Sequence, residues 1–171
     1  FQQAGIQPDL ITLSKGLTGG FLPMGVTMAS EDIFSAFIGE EPRLTLWHGH
    51  SFTGNPLGCA AANASLDLLQ RNPEQFANFE LRHLSHLQTI AKHQKVKRIR
   101  VAGTIAAFDL KVDGPSGYLN LAGKAIKASA MKHGVFLRPL GNVVYLLPPL
   151  CITNSQLEQC YLAIEKGLEE L

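Results

Sequence analysis

The segment LSKGLTGGFLPMG, residues 13–25, constrains the fold and the chemistry of this chain more than any other stretch. It follows the apolar run DLITLS, residues 9–14, which is typical of a short buried strand that ends at Lys15. The glycines that come next allow positive φ and a close approach of the backbone to a ligand. Burial disfavours the charged form of a lysine, and a neutral amine can attack a carbonyl to form a Schiff base. The segment therefore predicts a partly desolvated, reactive amine at Lys15.

Two nucleotide-binding motifs do not fit this segment. A phosphate-binding loop needs its lysine after the glycines and before a Ser or Thr, whereas Lys15 precedes the glycines. The spacing of GLTGG also differs from the Gly-x-Gly-x-x-Gly fingerprint of dinucleotide-binding folds. A surface lysine at a turn is the alternative that the residues alone leave open.

The charge balance argues against polyanionic partners. The 171 residues carry a net charge of +1 and only 17% of them are charged, so neither nucleic acid nor an anionic membrane surface has an electrostatic reason to bind. No apolar run reaches the ~18 residues that a membrane span requires. Three cysteines without metal-type spacing favour a reducing, cytoplasmic compartment. Because the sequence does not begin with Met, we expect it to be a piece of a longer protein.

The first part of the chain predicts two strands, two helices and a long functional loop. The strands are expected at 9–14 and 23–29, and Ser30 is expected to cap a short helix. Residues 39–56 form a polar loop rich in Gly and Pro, and a loop of that length inside a compact domain is usually functional or disordered. Asn55-Pro56 then predicts the start of an Ala-rich helix, with Asn at the cap and Pro at the first helical position.

The second part of the chain predicts a small α+β domain. A helix is expected over 73–93, started by Asn72-Pro73 in the same way, and Thr153 with Gln156 predicts a capping box for a last helix over 154–170. The apolar stripe of the first of these helices comprises Phe76, Phe79, Leu84, Leu87 and Ile90. Strands are expected at 96–103, 104–112, 135–139 and 143–149, and a further helix at 119–132. The predicted domains are 1–70 and 71–171.

The loop HGHSFTGNP, residues 48–56, combines glycines with a hydroxyl residue, Ser51. Backbone N–H groups and a hydroxyl such as that of Ser51 satisfy phosphate oxygens, and glycines allow the close approach. His48 and His50 lie two residues apart without a third ligand nearby, so no metal site is predicted. The alternative interpretation is that Ser51 is a solvent-exposed loop residue without a ligand.

The stretch FLRPLGNVVYLLPPL, residues 136–150, has the composition of a carboxylate clamp. Arg138 ends a short apolar strand, Pro139 and Gly141 restrict the turn after it, and Tyr145 lies in the next strand. An arginine fixed in this way can bind a carboxylate through two hydrogen bonds. A surface arginine beside a core tyrosine is the alternative.

Taken together, SKGLTGGFLPMG and HGHSFTGNPLG resemble the class III pyridoxal-phosphate aminotransferases. The resemblance implies an α/β fold of the fold-type I PLP-dependent transferases, with residues 1–70 as the C-terminal part of the large, cofactor-binding domain and residues 71–171 as the small C-terminal α+β domain. It implies pyridoxal 5'-phosphate as the cofactor and Lys15 as the residue that carries it. It further implies a homodimer in which His50 and Ser51 bind the cofactor of the partner subunit.

Residues 136–150 are similar to one subgroup of this family, which acts in biotin biosynthesis. That resemblance implies 8-amino-7-oxononanoate as the amino acceptor and S-adenosylmethionine as the donor, with lysine as the alternative donor of related enzymes, and Gly49, Arg138 and Tyr145 in contact with substrate. In the family, an Asp upstream of the lysine segment pairs with the pyridine nitrogen, and no Asp of this sequence matches its motif. We therefore expect this chain to be inactive alone. The alternatives are another class III aminotransferase, of the ω- or ornithine type, and a non-catalytic assembly domain.

Overall fold

A computed structural model describes the backbone of residues 1–171 and the side chains of all but Gln75 and Phe76. The chain divides into two compact units, Phe1–Asn72 and Pro73–Leu171. That these units are the two predicted domains of a larger fold stays a prediction. Among the described residues, no helix is both long and apolar enough to cross a membrane.

The first unit contains a two-stranded antiparallel sheet. Strand β1 (Leu10–Leu13) pairs with β2 (Val26–Ala29), so that Leu10 lies opposite Ala29. The prediction of a buried strand before Lys15 is wrong for this chain, because the side chains of β1 are mostly exposed, Leu10 by 55%. A two-stranded sheet has too little apolar surface to bury one of its own strands. The second strand also begins three residues later than its predicted start.

Helix α2 (Pro56–Arg71) confirms the predicted Asn-Pro start. The Asn55 side chain accepts a hydrogen bond from the Leu57 N–H at 2.9 Å, and Pro56 stands at the first helical position. Two small residues of this helix, Gly58 and Ala62, are buried. Small side chains allow neighbouring backbone to lie close, and α2 packs against the turn that contains Lys15.

One cap prediction for the first unit fails, and the helix predicted to start at Asn72-Pro73 begins at Pro73 as predicted. Helix α1 (Glu31–Ser35) begins after Ser30, but the Ser30 hydroxyl makes no capping hydrogen bond. The Asn72 side chain donates to the Leu68 carbonyl at 2.8 Å and therefore closes the end of α2. The long loop predicted over 39–56 is irregular up to residue 55 except for a 3-10 turn at Pro42–Leu44, and α2 begins at Pro56.

The second unit is a three-stranded antiparallel sheet with helices. The sheet order is β3 (Val96–Ala102), β4 (Ile105–Leu110) and β5 (Val143–Leu146), with β4 in the centre. The helices are α3 (Pro73–Ala77), α4 (Phe79–Ile90), α5 (Gly123–Lys132) and α6 (Asn154–Glu169). The predicted capping box of α6 is present, since Thr153 and Gln156 each accept a hydrogen bond from the other's backbone N–H.

The helix predicted over 73–93 is two helices, α3 and α4. Phe79, Leu87 and Ile90 are buried as predicted, whereas Leu84 is 44% exposed. His83 takes the buried position instead, because the inward face of α4 follows the spacing of residues 79, 83, 87 and 90. The Phe76 side chain, which was also assigned to this stripe, lies outside the described residues.

A buried carboxylate joins β3 to β4. The Asp109 side chain is fully buried, and it accepts hydrogen bonds from Arg100 Nη1 at 2.7 Å and Arg98 Nε at 2.8 Å. A β-bulge between Lys97 and Arg100, with Arg98 at φ +50°, brings both guanidinium groups to one carboxylate. Burial alone would raise the pKa of Asp109. The hydrogen bonds from Arg100 and Arg98 and the positive charges of these two residues have the larger combined effect, so the pKa of Asp109 is lowered.

The predicted strand at 135–139 is wrong. This segment has no ladder of hydrogen bonds, although its side chains alternate, with Val135 and Leu137 buried and Phe136 and Arg138 exposed. Only its continuation at Leu140 forms a bridge, to Val143. Strand β5 is shorter than predicted because the prolines at 148 and 149 have no N–H to donate. Helix α5 begins at Gly123, four residues after its predicted start.

Candidate functional site: a lysine turn, a hydroxyl loop and an arginine groove

The Lys15 turn is a 3-10 turn (Lys15–Thr18) that is separated from β1 by Ser14. Lys15 has φ +50°, which is uncommon for a residue with a side chain. Its carbonyl accepts the Gly20 N–H at 3.3 Å, and the Gly19 N–H donates to the Gly16 carbonyl at 3.0 Å. Gly19 adopts the left-handed conformation that ends the turn. The glycines of the motif therefore shape the backbone that presents Lys15.

Thr18 is a residue of this turn whose role the sequence did not reveal. It is only 4% exposed, and its hydroxyl lies 2.5 Å from the Leu22 carbonyl, to which it donates. From α2, the Ser65 hydroxyl donates to the Gly16 carbonyl at 3.4 Å. The signal that could have revealed Thr18 is a lone hydroxyl residue within a run of glycines, where backbone carbonyls need donors.

The Lys15 side chain is exposed, so the prediction of a desolvated amine is wrong for this chain. Within the described residues, no hydrogen bond or ion pair holds its ammonium group. A Cβ added at Gly16 or Gly20 would meet nothing within 4 Å, so the backbone beside Lys15 borders open space. A primary amine that is free and flanked by open space fits a flat carbonyl-bearing ligand.

The loop around Ser51 is a tight turn. The His50 N–H donates to Thr53 Oγ1 at 3.1 Å, and His50 Nδ1 accepts the Phe52 N–H at the same distance. Ser51 lies at the apex, exposed, and no described residue bonds to its hydroxyl. Its oxygen is thus available to an external ligand, as is the exposed backbone at Gly49.

A cavity of about 720 Å³ lies beside this loop in the first unit. It is lined by Leu22–Gly25 from the segment after the lysine turn, by His50 and Phe52–Asn55 from the loop, and by Leu57 and Gly58 from α2. His50 is the one predicted site residue that lines it. Within the part of the chain that the structure describes, no group of three or more His, Cys, Asp or Glu side chains could hold a metal ion.

In the second unit, the structure brings Arg138 and Tyr145 together in one groove of about 500 Å³. Arg138 is exposed and Tyr145 is half-buried. The wall is mainly apolar and includes Leu137 and Leu146, which are buried. A groove with one guanidinium, one phenol and an apolar wall suits a ligand that combines a carboxylate with an alkyl chain. Cys160 also lines it, and burial raises the pKa of that thiol.

The predicted site residues fall in both units. Lys15, Gly49, His50 and Ser51 belong to the first unit. Arg138 and Tyr145 belong to the second. Each group thus has its own local chemistry, an amine with a hydroxyl loop in one unit and a carboxylate groove in the other.

Sequence comparison identifies the family. The model of the family described as aminotransferase class-III matches residues 1–168. The chain is 52% identical over 170 residues to the adenosylmethionine-8-amino-7-oxononanoate aminotransferase of Synechococcus elongatus. This alignment covers 99% of this chain and 40% of the Synechococcus protein. It is 40% identical over 175 residues to the protein of the same name from Geobacter sulfurreducens, covering 96% of this chain and 38% of that protein. The chain thus spans about 40% of the length of the curated relatives that it matches.

Solved structures show the same similarity in three dimensions. The crystal structure of the adenosylmethionine-8-amino-7-oxononanoate aminotransferase from Methanocaldococcus jannaschii matches with a TM-score of 0.87 at 32% identity, over 96% of this chain and 39% of that one. An amine transaminase from an uncultivated Pseudomonas species, solved in its PLP-bound form, matches with a TM-score of 0.85 at 30% identity, over 99% of this chain and 40% of that one. The chain therefore belongs to the class-III aminotransferase family and has the fold of its PLP-dependent members.

Proposed function

We propose that this chain is part of a PLP-dependent aminotransferase that transfers an amino group from S-adenosylmethionine to 8-amino-7-oxononanoate, in biotin biosynthesis. The observation that carries the proposal is the groove shared by Arg138 and Tyr145. This groove suits an acceptor with a terminal carboxylate and an alkyl chain, and two relatives, 52% and 40% identical to this chain, are named for that reaction.

Pyridoxal 5'-phosphate fits the first unit at Lys15. The free amine and the open space beside Gly16 and Gly20 support covalent attachment of a flat aldehyde-bearing ring through Lys15 Nζ. When bound, the cofactor supplies an electron-withdrawing ring that accepts the electron pair released at the substrate carbon. The Lys15 amine would then hold and move the proton at that substrate carbon.

The loop at Ser51 binds phosphate in this proposal. The Ser51 hydroxyl and the backbone N–H groups around His50 would bind the cofactor phosphate of the partner subunit in a homodimer. Support comes from the exposed hydroxyl, which no described residue engages, and from the tight turn that presents it. Gly49, just before this turn, would contact substrate through its backbone.

Arg138 and Tyr145 orient the acceptor. The guanidinium binds the distal carboxylate through two hydrogen bonds, the Tyr145 hydroxyl donates to the same substrate, and the apolar wall of the groove excludes water from the alkyl chain. The donor loses its amino group and becomes a ketone, while the ketone of the acceptor becomes an amine.

The free cysteines Cys59, Cys151 and Cys160 support a cytoplasmic location.

A kinetic comparison in the full-length protein tests this proposal. Arg138→Ala should raise the KM for 8-amino-7-oxononanoate by at least ~30-fold, since it removes a charge-assisted bidentate contact. It should leave the half-reaction with the donor within about twofold. Lys124→Ala, an exposed cation on α5 that does not line the groove, is the control. An unchanged KM in Arg138→Ala would refute the assignment of the acceptor.

An amine transaminase of broader specificity is the second candidate, favoured by the solved amine transaminase that matches this chain. That activity requires no carboxylate on the acceptor. The same protein should then accept a carboxylate-free ketone as well as it accepts 8-amino-7-oxononanoate, and Arg138→Ala should change neither rate.

A further inference from the structure

We propose that Asn142 is a positioning residue that fixes the hairpin turn between Arg138 and Tyr145 and thereby sets the geometry of carboxylate binding. The inference rests on the proposed function, because it concerns the acceptor site described above. Asn142 does not line the groove and would touch no substrate there. It would act only through the backbone that carries Arg138.

Asn142 is a buried node of hydrogen bonds. It is 1% exposed, and both ends of its amide are used. Its Oδ1 accepts the Gly117 N–H at 2.8 Å, and its Nδ2 donates to the Leu110 carbonyl at 3.1 Å. The Leu110 N–H in turn donates to the Asn142 carbonyl at 2.8 Å. One side chain thus ties the turn both to the end of β4 and to the loop before α5.

Two glycines near Asn142 allow the backbone of this turn to lie close to two other segments of the chain. Gly141 has φ +64°, and a Cβ there would collide with the Gly117 carbonyl. The Gly123 N–H, at the start of α5, donates to the Gly141 carbonyl at 3.1 Å. A Cβ on Gly123 would collide with that same carbonyl. The turn therefore lies in close backbone contact with two other segments, at Gly117 and at Gly123.

The two groove residues depend on this turn to different degrees. Tyr145 lies in β5, where its backbone pairs with Ala107 of the central strand. Arg138 lies in a segment without a ladder, two residues before Leu140, where hydrogen bonds to Val143 begin. Loss of the Asn142 bonds should therefore displace Arg138 more than Tyr145, because Tyr145 keeps its ladder to β4, whereas the Arg138 segment is otherwise held by the buried side chains of Val135 and Leu137.

Steady-state and half-reaction kinetics of the full-length protein test this inference. We expect Asn142→Ala to raise the KM for 8-amino-7-oxononanoate about tenfold, less than Arg138→Ala does, and to leave the donor half-reaction within about twofold. The matched control is Tyr161→Phe, which removes a buried hydrogen bond to His83 in the same unit; Tyr161 does not line the groove, and its hydroxyl is not bonded to the turn. This variant should leave the acceptor KM within about twofold.

The conservative variant Asn142→Asp provides a second readout. Its carboxyl group has the shape of the amide, but it can donate to the Leu110 carbonyl only when it is protonated. Burial raises the pKa of a carboxyl group, so the excess of the variant's KM over that of the unmodified protein should shrink as the pH falls from about 8 to about 6. The ratio for Arg138→Ala should show no such recovery. This series also decides the question if Asn142→Ala does not fold.

The outcomes separate this inference from the proposed function. An acceptor KM that rises in Arg138→Ala but stays within about twofold in Asn142→Ala overturns the inference and leaves the function standing. Equal increases in Asn142→Ala and Tyr161→Phe also overturn it, because they indicate general loss of stability. An unchanged KM in Arg138→Ala overturns both. The expected order, Arg138→Ala above Asn142→Ala above Tyr161→Phe, supports both.

Discussion

The hydrogen bond between Tyr161 and His83 should be one of the strongest single contributions to the stability of the second unit. The two side chains are 2% and 0% exposed, and the Tyr161 hydroxyl lies 2.7 Å from His83 Nδ1. His83 Nε2 lies 3.0 Å from the Thr104 carbonyl, which can only accept, so Nε2 carries the hydrogen. Nδ1 is then an acceptor, and the Tyr161 hydroxyl donates to it.

Tyr161→Phe removes the donor and leaves this ring nitrogen buried without a partner. An unsatisfied buried polar group costs ~1–3 kcal/mol, and the exchange creates little empty volume, so we expect the free energy of unfolding to fall by about 2 kcal/mol. The stacking of His86 on the Tyr161 ring, with centroids 4.6 Å apart, does not need the hydroxyl and should persist. The whole effect is therefore assigned to one hydrogen bond.

Native-state hydrogen exchange measures this effect within the second unit alone. The slowest amides of α6 and β4 report the opening of that unit, and their opening free energy should fall by about 2 kcal/mol in Tyr161→Phe. Tyr118→Phe is the control, because Tyr118 is 73% exposed and should stay within ~0.5 kcal/mol. A change in Tyr161→Phe no larger than that of the control would refute the assigned hydrogen bond.

Four further predictions follow from buried groups and strained backbone. Burial lowers the pKa of His83 below its usual 6.5, with further lowering by the charges of Arg82 and His86 and an opposing contribution from the Thr104 carbonyl. The neutral ring therefore stabilises the fold above pH 6.5, and that stability is lost as the pH falls through the pKa of His83 in the folded protein. In His83→Leu, the urea concentration at the unfolding midpoint should depend less on pH between pH 7 and about 5 than it does in the unmodified protein. Asp109→Ala removes the carboxylate that both arginines bind, and it should lower the free energy of unfolding of the second unit by ~1–3 kcal/mol. The loss is no larger because the two arginines are partly exposed and water can solvate them. Urea unfolding measures this change. Gly141→Ala should cost at least ~2 kcal/mol by the same assay, because of its positive φ and the collision with Gly117. Thr18→Val should speed exchange of the Gly19 and Gly20 amides at least ~10-fold, because it removes the buried donor of the lysine turn.

Local signals in the sequence predicted the starts of α2 and α6 correctly. The Asn55-Pro56 start and the Thr153–Gln156 capping box depend on neighbouring residues only, and both form as predicted. Gly134, with φ +75°, follows the end of α5 in the same local way. Features of this kind are set by hydrogen bonds within a few residues, which the sequence displays directly.

The burial of side chains was harder to predict, because it depends on which other segments of the chain pack against them. Leu84 and His83 are adjacent on α4, and only the packing direction of the helix decides that the histidine is inside. β1 is apolar, yet it is exposed, because a two-stranded sheet offers no second layer. The segment 135–139 alternates like a strand but finds no ladder partner.

The chemistry at the candidate sites was partly visible in the sequence. Arg138 and Tyr145 lie in one groove, and that they bind substrate stays a prediction. Thr18 and Asn142 were not assigned a role, because a buried hydroxyl and a buried amide become evident only when their carbonyl and N–H partners are located. The desolvation expected at Lys15 was not found, since the side chain is exposed in this chain.

The most direct test of the central claim is to locate the cofactor linkage. The full-length protein is incubated with pyridoxal 5'-phosphate, reduced with borohydride and digested, and the peptides are analysed by mass spectrometry. The proposed function predicts one pyridoxyl label, on Lys15, that is absent from Lys15→Ala but present in Lys124→Ala. A label on another lysine, or no label in a protein that is folded and saturated with the cofactor, would contradict the account.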